Sequence, residues 1–306
     1  MPIYLPPISR RKFLSRSLAA AAALGLAPGC AMLEGRRNSQ SIALLSDIHI
    51  SADPTRVARS VNMTDHLKKV TAEVTAWPEL PETVFVNGDL AFDRGETADY
   101  EAVLGLLHPL REAGMPLHLN MGNHDNREHF WGVFKRWKTI PAKLPGRQAA
   151  IVRRRDANWF LLDSLIKTKT TPGLLGEAQR AWLARSLDAN ADKPAIVMFH
   201  HQSGEMSPGH SDGGLEDGPE LMAILRKRPH VKAYLFGHTH RWSVTTDKSG
   251  LHLVNLPAVG YVFQPDQPSG WVHATMRENG MRVELRCVDR SHPAHGQAFD
   301  LDWRNS

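Results

Sequence analysis

Five short clusters in this chain carry side chains able to hold a metal ion: Asp47-Ile48-His49, Gly88-Asp89, Gly122-Asn123-His124-Asp125, His200-His201 and Gly237-His238-Thr239-His240. Their donors are carboxylate and amide oxygens and imidazole nitrogens, without thiolate. Such a mixture suits Mn, Fe, Zn or a similar divalent ion, whereas Ca prefers oxygen throughout. The seven residues Asp47, His49, Asp89, Asn123, His200, His238 and His240 are too many for one ion and enough for two, if a carboxylate bridges. In Asp-x-His and His-x-His the donors stand two residues apart, which in extended backbone puts them on one side. Glycine ahead of Asp89, Asn123 and His238 allows a sharp turn and close approach of a substrate to the backbone.

Each cluster alone reads as something ordinary. Asp-x-His is a loop acid beside a surface histidine, Gly-Asp is a turn, and Gly-Asn-His-Asp suits a turn of residues that tolerate left-handed backbone. Their placement changes that reading. Each follows a run read as a buried strand: residues 41–46, 83–86, 117–121, 195–199 and 231–236. Loops at the carboxyl edge of a sheet are where such a site is built.

The elements between these strands complete the pattern. Met63, Leu67, Val70 and Val74 recur at helical spacing, and that helix must stop before Pro78. Tyr100, Val103, Leu104 and Leu107 mark a second helix that ends or kinks near Pro109. Residues 150–152 and 159–162 read as strands about a turn at 156–158. Helices are expected at 177–187 and 219–228. Beyond Trp242 helical periodicity disappears, and the runs 243–246, 252–255, 271–276 and 282–287 read as strands joined by Gly and Pro turns. The stretches 135–147 and 202–218 read as loops over the site. Alternating β and α, then mostly β, predicts an α/β sandwich with helix-covered sheets. One domain is expected over residues 41–288, with a C-terminal tail at 289–306.

Composition bounds the rest. A chain of 306 residues, 42% hydrophobic and 23% charged, is neither disordered nor fibrous. Two cysteines exclude a disulfide scaffold and a cysteine-ligated zinc site. Residues 1–30 hold Arg10, Arg11, Lys12 and Arg16 and no acid, so they carry four of the five net positive charges. The remainder is close to neutral, and no stable nucleic-acid partner is expected. Paired arginines followed by Phe13-Leu14 and an apolar run over 18–27 resemble a twin-arginine export signal, predicting an exported, periplasmic or extracytoplasmic protein whose early partner is the export machinery. Cys30 resembles a lipoprotein processing site, with simple release of the leader slightly preferred over an anchor. Either way Cys287 is left without a disulfide partner.

The series Asp-x-His, Gly-Asp, Gly-Asn-His-Asp, His, Gly-His-x-His resembles the signature of the calcineurin-like metallophosphoesterases, complete and in order over roughly residues 41–277. The resemblance implies their sandwich, two mainly mixed β-sheets flanked by helices. Asp125, where serine/threonine protein phosphatases usually carry Glu, leans away from that branch. Gly176-Glu177-Ala178-Gln179 leading to Trp182-Leu183 resembles a helix of purple acid phosphatase-like and cyclic-nucleotide phosphodiesterase-like relatives. Gln202 departs from the pattern, since many relatives have Pro there. Carried over residue by residue, the resemblance implies that Asp47, His49 and His240 hold one metal and Asn123, His200 and His238 the other, with Asp89 bridging. It implies that His124 assists the leaving group and that Asp125 orients it.

The implied activity is hydrolysis of small phosphate mono- or diesters by two divalent ions (Mn, Fe or Zn), with a hydroxide between the metals as nucleophile. A non-catalytic metal-binding protein on the same fold and a nuclease or nucleotidase are the competing readings. His201 could contact substrate or only support the site. Phe130, Trp131, Phe134 and Trp137, with Lys135, Arg136 and Lys138, could grip a nucleotide, but their spacing fits an amphipathic helix better.

Overall fold

The computed structural model describes residues 3–5, 7, 37–135, 144, 146–204 and 213–305. Two sheets stack face to face, and helices cover the outer face of each. The first sheet runs in the order β1 (Ile3–Leu5), β6 (Leu117–Asn120), β5 (Leu80–Asn87), β2 (Arg37–Ser46), β13 (Gly270–Arg277), β14 (Gly280–Cys287), β15 (Ala298–Asp302). Strands β2, β5 and β6 are parallel, and the remaining pairings are antiparallel. The second sheet runs β11 (Ser243–Thr246), β12 (His252–Asn255), β10 (Val231–Phe236), β9 (Ala195–Met198), β8 (Asn158–Leu161), β7 (Ala150–Arg153). Its four inner strands are parallel and its two edge strands antiparallel. Both sheets are therefore mixed, as the resemblance implies.

Alternation along each strand decides what lies between the sheets. Ile42, Leu44 and Phe85 of the first sheet meet Trp159, Leu161, Ile196, Met198 and Leu235 of the second. Phe85 stacks on Trp159 with centroids 4.5 Å apart, and both rings are fully buried. The opposite faces bind the helices. Ala43, Leu45, Val84 and Val86 bury Met63, Leu67, Val70 and Val74 of α1 (Met63–Thr75). Asn62 starts that helix by accepting the Asp65 N–H at 3.0 Å. On the second sheet, Phe160, Val197 and Tyr234 meet Leu183 and Leu187 of α5 (Glu177–Asp188) and Leu221 and Leu225 of α6 (Gly218–Arg226).

The helix expected at Tyr100–Leu107 is α2 (Thr97–Leu106), which ends ahead of Pro109 as expected; a short α3 (His108–Glu112) follows, with Pro109 in its first turn, where a missing N–H costs nothing. Two local outcomes differ from the sequence reading. The segment 289–306, expected as a tail, carries β15, which pairs with β14 and buries Leu301. Two strands of two residues, β3 (Val57–Ala58) and β4 (Val61–Asn62), form an unexpected hairpin ahead of α1. The helix at the aromatic cluster is α4 (Arg127–Phe134), with Phe130 and Phe134 buried against Tyr100; Arg136, Trp137 and Lys138 lie outside the described residues. Of the expected leader, Ile3–Leu5 form β1 on the β6 edge, while Arg10, Arg11 and Cys30 also lie outside the described residues. Cys287 is buried and unpaired.

Candidate metal centre

All five clusters leave the carboxyl ends of adjacent strands: Asp47 after β2, Asp89 after β5, Asn123 after β6, His200 after β9 and His238 after β10. The edges of both sheets therefore meet at one place. Backbone bonds stitch the loops together, with Asp47 N–H donating to Gly88 O at 3.2 Å and Gly237 N–H to His200 O at 2.9 Å. Asp47, His49, Asp89, His238 and His240 all have positive φ, between 47° and 68°. Such backbone is costly for residues with a Cβ, and it persists where the surroundings hold it for a purpose. Gly88 has φ +75°, and a Cβ there would come within 2.5 Å of His200 Nδ1.

The ligand atoms of Asp47, His49, Asp89 and His240 lie within 4.8 Å of one another, and all four residues are buried. His49 Nε2 faces His240 Nε2 at 3.1 Å, and His240 Nε2 is 3.4 Å from Asp47 Oδ1. His49 Nδ1 is 3.2 Å from Phe92 O and His240 Nδ1 is 2.6 Å from Tyr261 O. A proton on each Nδ1 satisfies those carbonyls and leaves Nε2 as a lone pair aimed into the cluster, the usual arrangement of a ligating imidazole.

A second group adjoins it. His200 Nε2 is 3.0 Å from Asn123 Oδ1 and 3.1 Å from His238 Nδ1. Asp89 lies between the groups, with Oδ2 3.5 Å from His49 Nε2 and 3.4 Å from His200 Nε2. His201, left open by the sequence, joins His200 and His238 within 4.8 Å. Its Nδ1 bonds Ser164 Oγ at 2.8 Å, its backbone oxygen accepts from Tyr234 Oη, and its Nε2 is buried with no hydrogen-bond partner among the described residues.

Electrostatics match a cation site. Burial drives the His49 and His238 pKa values down to about 3, so both rings are neutral and able to ligate. Burial opposes charge on His200 too, but the carboxylates of Asp89 and Asp47 carry it up to about 9. Burial disfavours the Asp89 carboxylate, yet His200, His49 and His124 hold it well below its ordinary range. Asp47 and Asp89 are buried carboxylates with no lysine or arginine beside them among the described residues, set among imidazole nitrogens, a donor set that divalent ions fit.

The structure corrects the expected role of Asp125. Its carboxylate does not reach the His124 ring. It accepts the N–H groups of Leu90 and Ala91, each at 3.1 Å, the Gly122 N–H at 2.8 Å and the Tyr100 hydroxyl at 3.0 Å. Sequence neighbours at a turn point apart, and Asp125 points into the protein to tie the Asp89 and Asn123 loops together. Burial and the charge of Asp89 push its pKa up to about 7 against those donors. The His124 ring is held by Asp93 instead, with Nδ1 3.1 Å from the Asp93 carbonyl and 4.0 Å from its carboxylate. Asp93 also pairs with Lys169, whose backbone N–H donates to Asn123 O at 2.7 Å. In the sequence the only signal for this is the run Asp93-Arg94-Gly95 close behind Asp89.

Asp125→Ala should therefore act on stability. It strands buried donors at about 1–3 kcal/mol each, so chemical denaturation should show a loss of at least about 3 kcal/mol. The leaving-group dependence of turnover should stay that of the native protein. If Asp125 set the His124 tautomer, the variant would instead reproduce the kinetic signature of His124→Ala.

Gln179 of the α5 motif is buried, with Nε2 donating to Asp163 O at 2.7 Å and Oε1 accepting from Asp163 N at 3.1 Å. Asp163 in turn receives a two-pronged bond from Arg127, both distances 2.9 Å. That helix thus braces α4 and the loop below His124. His124, Asn123 and His238 open on a cavity of about 490 Å³, lined further by Gln202, Thr239, Arg241 and Phe263.

Fold and site together define a metallophosphoesterase sandwich with its chemistry at the strand ends. Residues 41–242 match the calcineurin-like phosphoesterase family model, and the chain belongs to that family. It is 26% identical over 226 residues to a 3′,5′-cyclic-nucleotide phosphodiesterase of Nostoc sp., covering 73% of this chain and 80% of that one. It is 24% identical over 218 residues to a glycerophosphodiester phosphodiesterase of Enterobacter lignolyticus, covering 71% and 76%. In fold it is similar to a dimetal phosphatase of Danio rerio, with TM-score 0.67 at 14% identity over 86% of this chain and 99% of that one. The protein is a metal-dependent phosphoesterase, and its relatives are phosphodiesterases.

Proposed function

We propose that the protein is an exported hydrolase of small phosphodiesters that works with two divalent ions. The observation that carries this reading is Asp89, one carboxylate oxygen of which stands 3.5 Å from a nitrogen of one cluster and 3.4 Å from a nitrogen of the other. Asp47, His49 and His240 would hold one ion, and Asn123, His200 and His238 the second, with Asp89 shared. Such a pair lowers the pKa of water and draws charge from the phosphoryl oxygens.

The chain's own residues do the rest. Asp125 fixes the two loops that set the spacing of Asp89 and Asn123. Asp93 holds the His124 ring at the cavity wall, where it meets the leaving oxygen of a bound ester and supplies a proton. The full set of donors, with His124 retained, disfavours a non-catalytic metal binder. The near-neutral charge beyond the leader disfavours a nuclease acting on long nucleic acid.

A substrate panel on purified, metal-loaded protein tests the reading. Bis(p-nitrophenyl) phosphate, cyclic nucleotides and glycerophosphodiesters should turn over faster than p-nitrophenyl phosphate. Preference for the monoester would make it a phosphatase and contradict the proposal. Export rests on the leader alone. Arg10→Lys with Arg11→Lys should keep the precursor in the cytoplasm, and unchanged export by the same route would refute the twin-arginine assignment.

A further inference from the structure

The cavity beside the metal centre holds more than a phosphate needs. It starts at Asn123, His124 and His238 and extends past Arg241 and Phe263 to Ser243 and Thr245 on β11. Phe263 is 47% exposed, and it and Val57 are the large apolar side chains left exposed among the described residues. Phe263 lines the cavity, so its bared ring is in reach of whatever the cavity holds.

Its setting is rigid. Phe263 stacks on His240 with centroids 4.2 Å apart and planes 22° apart, and the Arg59 guanidinium lies 4.8 Å from its centroid. Arg59 and Ser60 form the turn of the β3–β4 hairpin with φ of 48° and 65°, a conformation usually left to Gly, Asn or Asp. That strained turn brings Arg59 onto Phe263 and within 6.0 Å of Tyr261. Arg241, next to His240, is half-buried in the cavity wall, and its guanidinium has no hydrogen-bond or carboxylate partner among the described residues.

A glycerol-like leaving group can offer hydroxyls to a guanidinium but has no flat face for an aromatic wall. A heteroaromatic base uses both, through stacking and cation–π contact, and the guanidinium fork also suits the acceptors on a purine edge. We propose that Phe263 and Arg241 form a nucleobase subsite, so that the enzyme selects cyclic nucleotides over glycerophosphodiesters. The inference rests on the phosphodiesterase reading above.

The test compares kcat/KM for 3′,5′-cyclic AMP and for glycerophosphoglycerol on the metal-loaded full chain. The ratio should favour the nucleotide. Phe263→Ala should lower it about tenfold, chiefly through KM, as expected for one lost stacking contact, and Phe263→Trp should restore it. Arg241→Ala should lower the ratio as well, and Arg241→Lys should fail to restore it, because lysine keeps the charge and loses the plane. A ratio that none of these variants moves would overturn the subsite. So would an equal fall for both substrates with Phe263→Ala, which would mean that the ring only props His240. Bis(p-nitrophenyl) phosphate is the control for the underlying reading. If native protein leaves every diester intact, calorimetric titration with AMP decides the subsite alone: about tenfold weaker binding by Phe263→Ala supports it, and equal affinity refutes it.

Discussion

His124→Ala is expected to keep its fold and its metal and to lose about 10²–10⁴-fold in turnover, the usual worth of a positioned general acid. The expectation rests on where the histidine is held. Its backbone N–H donates to Asp89 Oδ1 at 2.8 Å, which anchors the residue, while its ring is held at Nδ1 by Asp93 and faces the cavity. It packs edge-on against His49 with centroids 5.0 Å apart, near the cluster without belonging to it. The loss should depend on the leaving group. A nitrophenolate needs little protonation and should suffer least, and an alkoxide should suffer most. Metal analysis and a leaving-group series on this one variant separate the outcomes. Equal slowing of all esters would make His124 a stabiliser of phosphoryl oxygens, and loss of metal would make it a ligand.

Asp89→Ala should have the broader effect, emptying both metal positions together. A carboxylate that serves only one cluster would leave the other filled when removed. With the metals go several kcal/mol of transition-state stabilisation, at least about 10³-fold in turnover. The same change frees the His124 N–H, so Asp89→Asn is the better-matched companion: it keeps an acceptor for that N–H and loses the charge. Metal content by elemental analysis, with far-UV circular dichroism to show that the fold persists, checks both. A variant that keeps one equivalent of metal would place Asp89 in a single site.

The parts of the fold and site legible in the sequence are those where one local signal suffices. Strand β10 stands out because Val231–Phe236 is an apolar run broken only by Lys232 and ended by Gly237, and such a run inside a parallel sheet is buried on both faces. The candidate metal donors are readable because they follow such strands directly. What the sequence concealed depends on residues far apart. Asp125 looked like the partner of His124 because they are neighbours, yet its bonds go to Leu90 and Ala91, some 35 residues away. Asp93 acts at His124 across 31 residues. The β3–β4 hairpin has no Gly or Asn in its turn and only two residues per strand, so nothing local announces it, and Phe263 gains meaning only once His240 is beneath it. Strand β15 buries little beyond Leu301, too short an alternation to distinguish from a tail.

The most direct test of two ions sharing Asp89 is the metal stoichiometry of native protein, purified without chelator and measured by elemental analysis against an accurate protein concentration. Close to two equivalents of Mn, Fe, Zn or a mixture per chain, falling towards none in Asp89→Ala, is the expected result. A single equivalent in fully active native protein, unchanged when excess metal is supplied, would contradict it.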